Sequence, residues 1–82
     1  EGLKALSARV VRAAPDDVMA HQMRANVLDV QGGAWEAGPR SAAELKEAAT
    51  HFERAAALHP APAVKAELTG NATWCRRQAE AM

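Results

Sequence analysis

Apolar residues recur along this chain at spacings of three and four, the period of one face of a helix, in four separate stretches. Leu3, Leu6, Val10 and Ala13 or Ala14 form the first stripe, over about 3–14, and Pro15 ends it. Asp16 or Asp17 then supplies an N-cap, because its carboxylate can accept from the first free backbone amides and lies at the positive end of the helix dipole. A second helix is predicted over about 18–31, with Met19, Met23, Val27 and Val30 on one side and Ala20, Ala25 and Leu28 widening the stripe, until Gly32-Gly33 stops it. The stretch 32–40 holds three glycines and a proline and is predicted as a loop.

Ser41 with Glu44 three residues on has the spacing of a capping box. It opens a third helix over about 41–59 that turns Leu45, Ala48 or Ala49, Phe52, Ala55 or Ala56 and Leu58 inward. Pro60 and Pro62 separate it from a fourth, over about 63–80, which presents Val64, Leu68, Ala72, Cys75 and Ala79. No segment shows the alternation or β-branched density of a strand, so the expected class is all-α, four helices with antiparallel neighbours in a single domain spanning 1–82.

The chain also carries a faint internal repeat. Pro15 and Pro60 stand 45 residues apart, and the same shift brings Met19 onto Val64, Gln22 onto Glu67, Met23 onto Leu68 and Asn26 onto Asn71. Ala25 falls on Gly70, small on small. With these residues the chain resembles the tetratricopeptide repeat (TPR) family: Ala48, Phe52, Ala55, Leu58 and Pro60 are similar to that family's second helix and its terminating proline. The period exceeds the family's roughly 34 residues by about 11, and the excess falls on 32–40 and a longer helix end. Two departures stand out: the aromatic and Leu-Gly-Tyr signature is missing from the helix at Val18, and Ser7 stands where Phe52 leads one to expect an aromatic. The resemblance implies TPR-like helix-turn-helix pairs, a right-handed α-solenoid fragment with an inserted loop, in which Ala25 and Gly70 mark close approaches of paired helices.

Composition narrows the activities. With 82 residues the chain is one small domain, near the size at which a single core is marginal, and a large buried cleft is not expected. The hydrophobic fraction is 49%, but roughly a quarter of the residues are alanine, so thin, Ala-lined helix contacts are expected. Ten basic residues balance ten acidic ones and are scattered, which argues against nucleic acid or an anionic membrane as partner. No apolar run approaches the roughly 20 residues of a membrane span. The start at Glu1 shows neither a basic leader nor an apolar signal core, and a processed chain or an excised domain is the expectation. The lone Cys75 forms no internal disulfide, which leans towards the cytoplasm or another reducing compartment.

Candidate chemistry follows the helix faces. If the resemblance holds, the second and fourth helices line a concave groove. Gln22, Asn26 and Asp29 share one face of the second, and Glu67, Asn71 and Trp74 share the equivalent face of the fourth. Asn amides donate and accept at once, as an extended peptide backbone requires. Trp35, on the inserted loop, is either an apolar anchor for a partner or a cover for a helix end. A clamp for a C-terminal carboxylate, used by some family members, is not expected: Asn26 fits one position, but Gln22 replaces a Lys and Leu68 an Asn.

His21, His51, His59 and Cys75 lack the close Cys-x-x-Cys or His-x-x-x-His pair of a metal site, and Cys75 lacks a recognisable base and oxyanion donors. Asn71-Ala72-Thr73 fits a glycosylation sequon but falls in mid-helix. The function expected is therefore a protein interaction module or scaffold, with no catalysis and no cofactor, taking a peptide or partner protein in the groove. The alternative is a structural subunit or accessory helical domain of a larger assembly or enzyme. It would pack through exposed solenoid ends, as a homo-oligomer or within a larger complex.

Overall fold

The computed structural model describes residues 2–29 and 40–82. Within them lie four helices, α1 (Leu3–Ala13), α2 (Val18–Leu28), α3 (Ala42–Leu58) and α4 (Pro62–Glu80), and no strand. Substantial packing joins α1 to α2, α2 to α3 and α3 to α4.

The helix starts follow from local chemistry. The Asp17 carboxylate accepts from the Met19 amide at 2.9 Å and caps α2. At α3 the capping box is complete: the Glu44 amide donates to Ser41 Oγ at 3.1 Å, and the Ser41 amide donates to Glu44 Oε1 at 2.9 Å. Pro62 occupies the first turn of α4, where its missing N–H is no loss. The Ala61 amide at the cap donates to His59 Nδ1 at 3.1 Å.

The second helix ends sooner than its apolar pattern predicts. Asp29 has an extended backbone (ψ 143°) and closes α2 with its own amide on the Ala25 carbonyl at 2.8 Å. Aspartate is a weak interior helix residue because its short side chain bonds locally instead. The predicted stop at Gly32-Gly33, the loop 32–40 up to Pro39, and Trp35 lie outside the described residues.

A thin, alanine-rich core sits on both sides of α3. Ala25 and Leu28 of α2 and Leu68, Ala72 and Cys75 of α4 join Ala48, Ala49, Phe52, Ala55 and Ala56 in one buried cluster. Several expectations need correction. Met19 does not face inward: it is 68% exposed, and α2 buries Ala20, His21, Ala25, Val27 and Leu28 instead. Leu58 is also exposed, at the end of α3. On α1 the one fully buried residue is Ser7, with Leu3, Leu6 and Val10 half-buried around it.

Ala25 and Gly70 are not equivalent either. Ala25 is fully buried, whereas a Cβ added to Gly70 would meet nothing within 4 Å. The reason is the neighbourhood of each helix. Packed between α1 and α3, α2 is covered on two sides; α4 meets α3 through Leu68, Ala72, Cys75 and Ala79, and residue 70 points away from that stripe.

Candidate functional site

Between α2, α3 and α4 the surface sinks into an open concavity of about 200 Å³. Gln22 and Asn26 come from α2, Phe52 from α3, and Val64, Glu67, Leu68 and Asn71 from α4. Helical spacing explains the set, since positions four apart lie one above the other on a helix. Phe52 and Leu68 are buried and Val64 half-buried, giving an apolar floor. Asn26 and Glu67 are exposed, Gln22 and Asn71 half-buried, giving a polar rim.

The rim groups are uncommitted. No side-chain hydrogen bond or ion pair among the described residues engages Gln22, Asn26, Glu67 or Asn71. Elsewhere several charges are paired: Lys4 Nζ lies 2.7 Å from Glu44, Arg24 Nε 2.9 Å from Glu47, and Arg76 Nη2 2.7 Å from Glu53. The rim can therefore offer three amides and one carboxylate to something outside. A space of this size is smaller than the roughly 300–1,000 Å³ of small-molecule pockets and admits one or two side chains.

Four of the seven sequence-predicted site residues meet at this concavity: Gln22, Asn26, Glu67 and Asn71. Asp29 and Trp74 do not line it. They stand about 10 Å further along their helices than Gln22 and Glu67, beyond its end. Asp29 is 4% exposed rather than on an open face, and Trp74 is half-buried against the apolar cluster. Trp35 lies outside the described residues. Phe52, Val64 and Leu68 were legible as inward-facing residues but not as the floor of a surface hollow, because periodicity says which side of a helix is apolar and not where its cover stops.

On the other side of α2 lies a polar cluster that the sequence does not announce. Arg24 donates through Nε to Glu47 Oε2 at 2.9 Å and through Nη1 to Ser7 Oγ at 3.0 Å and to the Lys4 carbonyl. Its guanidinium thus fills the space beside Ser7 and explains how a serine can occupy a buried position that is aromatic in the repeat. His21, 4% exposed, meets His51 across the α2–α3 contact. The one local clue was the spacing of Glu47 and His51, four apart on α3.

The Arg24 hydrogen bond holds the Glu47 carboxyl below its ordinary value against the opposing effect of burial. Lys4 likewise lowers Glu44 by direct hydrogen bonding, and Glu53 raises Arg76. Burial lowers His51, with Glu47 pulling the other way. Cys75 is fully buried, and burial, reinforced by the charge of Asp29, pushes its thiol up to about 11, the opposite of what an activated nucleophile needs.

Among the described residues no group of three or more His, Cys, Asp or Glu side chains is placed to hold a metal ion, and no helix is long and apolar enough to cross a membrane. Comparison of the chain with protein-family models, with curated proteins and with solved structures gives no match.

Proposed function

We propose that this chain is a TPR-like protein interaction module and that the concavity between α2, α3 and α4 holds a segment of a partner protein. The observation that carries the reading is four uncommitted polar side chains around an apolar floor, drawn from repeat-equivalent positions 22 and 67, 26 and 71. The sequential packing of α1 on α2, α2 on α3 and α3 on α4 supports a solenoid fragment of antiparallel pairs. So does the shortest dimension of 17 Å, the depth of two helix layers.

Charge complementarity selects the kind of segment. Glu67 is the one ionisable residue lining the concavity, and it is acidic. The side chain that fits best has an apolar stem to lie over Phe52, Val64 and Leu68 and a basic tip to reach Glu67, as lysine and arginine do. Gln22, Asn26 and Asn71 then bond the backbone on either side. An acidic tail would place like charges together.

The test is selection of binding peptides from a random display library, followed by titration of the selected peptides against three proteins: the native chain, Asn26→Ala/Asn71→Ala, and Glu67→Gln. The reading expects a lysine or arginine beside apolar residues in the selected set. It also expects affinity to fall about tenfold or more in the double variant, whose melting temperature is unchanged or raised because alanine is the better helix former. Full affinity in a well-folded double variant would remove the concavity from the function.

A further inference from the structure

The histidine pair at the α2–α3 contact, His21 buried and His51 half-buried, is a device that the concavity reading does not need. His21 Nε2 lies 2.6 Å from the Pro15 carbonyl, and His51 Nε2 lies 3.2 Å from Glu47 Oε2. A carbonyl oxygen and a carboxylate only accept, so each Nε2 carries a proton. The two Nδ1 atoms then face one another at 3.0 Å, hydrogen-bond distance, with ring centroids 5.2 Å apart and the ring planes 28° from parallel.

Two neutral rings with both Nε2 atoms protonated would aim two lone pairs at each other. Two imidazolium rings would aim two N–H groups at each other. Only one proton between the Nδ1 atoms makes an N–H···N bond. We infer that His21 and His51 form a shared-proton pair, one positive charge for two rings, which locks α2 to α3 and is broken by a second proton at acid pH.

The surroundings are arranged for that single charge. Facing the pair are Glu47 of α3, which holds His51 directly, and Arg24 of α2, which is bound to the same carboxylate. From α1 comes Lys4, neutralised by Glu44 of α3, and at the corner before α2 Asp17 is engaged in capping. Burial opposes a second proton, the direction in which His51 is shifted. The linkage follows in sign. Towards acid pH the unfolded chain takes up two protons and the folded pair one, so stability falls as pH drops.

The pair also adjoins the concavity. Gln22 follows His21 and Phe52 follows His51 in sequence, and both line it, so loosening α2 from α3 opens the hollow between its own walls. This last step rests on the concavity being the binding site; the proton count does not.

Glu47 Oε2 takes both His51 Nε2 and Arg24 Nε, and so keeps the His51 proton on Nε2. 15N imidazole spectra of the native chain between about pH 5 and pH 8 should therefore pass through a range with three protonated nitrogens out of four on the pair. Thermal melts over the same range should show Tm falling towards the acid side. Two neutral rings throughout that range, or a Tm that does not fall towards acid, would overturn the shared proton. If the melts behave as expected but the affinity of display-selected peptides does not follow them, the pair is a stability device only and its control of the concavity is refuted.

Discussion

Replacing Phe52 with alanine tests the core on which the concavity rests. Phe52 is 2% exposed and is the one phenylalanine in the chain. Phenylalanine-to-alanine changes in cores cost about 3–5 kcal/mol, the loss growing with the cavity that neighbours fail to fill. Here many of the buried neighbours in the cluster are alanines, Ala25, Ala48, Ala49, Ala55, Ala56 and Ala72, whose methyl groups have no rotamers with which to reach into the space. That argues for the upper end. Against it, Phe52 borders the open concavity, so water can enter part of the vacated volume.

The balance is a loss of about 3–4 kcal/mol. A chain of 82 residues has about 4–12 kcal/mol of total stability, so the variant should be partly unfolded or close to it. Urea titration followed by circular dichroism measures this, with an unchanged m-value showing that the same unfolding is being compared. Phe52→Leu, which keeps most of the volume, should lose only about 1 kcal/mol. A loss below about 1 kcal/mol for Phe52→Ala would mean that the residue is peripheral and the packing argument wrong.

Gly70→Ala should raise stability by about 0.5–1 kcal/mol, because the position is helical and an added Cβ meets nothing; a lower melting temperature would refute the placement of α4. Ser41→Ala removes the acceptor of the capping box and should lower stability by about 1 kcal/mol in the same melts, with no change telling against the cap. Cys75 should react with a thiol reagent only as fast as the protein opens, since it is fully buried. Because folding raises that thiol from 9.0 to about 11, its contribution is intact below about pH 9 and is lost as pH rises towards 11. The loss amounts to about 2–3 kcal/mol, and stability curves of the native chain and Cys75→Ala should converge or cross there.

The four helices were legible because each carries an apolar stripe at helical spacing and each boundary has its own residue chemistry: Pro15 and Asp17, Ser41 with Glu44, Pro60 and Pro62. What was not legible depends on which helix covers which face. Met19 fits the apolar stripe of α2 by spacing, yet α1 and α3 pack on other faces and leave it exposed. Gly70 matches Ala25 by repeat, but the fourth helix is covered on one side only.

The candidate site divides in the same way. Gln22, Asn26, Glu67 and Asn71 were found because the repeat puts them on equivalent faces, and the structure brings them to one hollow. Asp29 and Trp74 share the angular position but not the height along the axis, a distinction that a face-by-face reading of helices omits. The contacts of Arg24 with Ser7 and Glu47, and of His21 with His51, join residues 17 to 30 positions apart. Pairing of that kind is set by how helices cross, which no local pattern in one sequence encodes.

The central claim is that the concavity holds a partner segment, and amide shift mapping tests it most directly. A display-selected peptide titrated into 15N-labelled protein should move the signals of Gln22, Asn26, Glu67, Leu68 and Asn71 together, with one saturation curve, and leave those of α1 unmoved. Saturating shifts confined to α1 or to the outer face of α4 around Gly70, with the concavity silent, would contradict it.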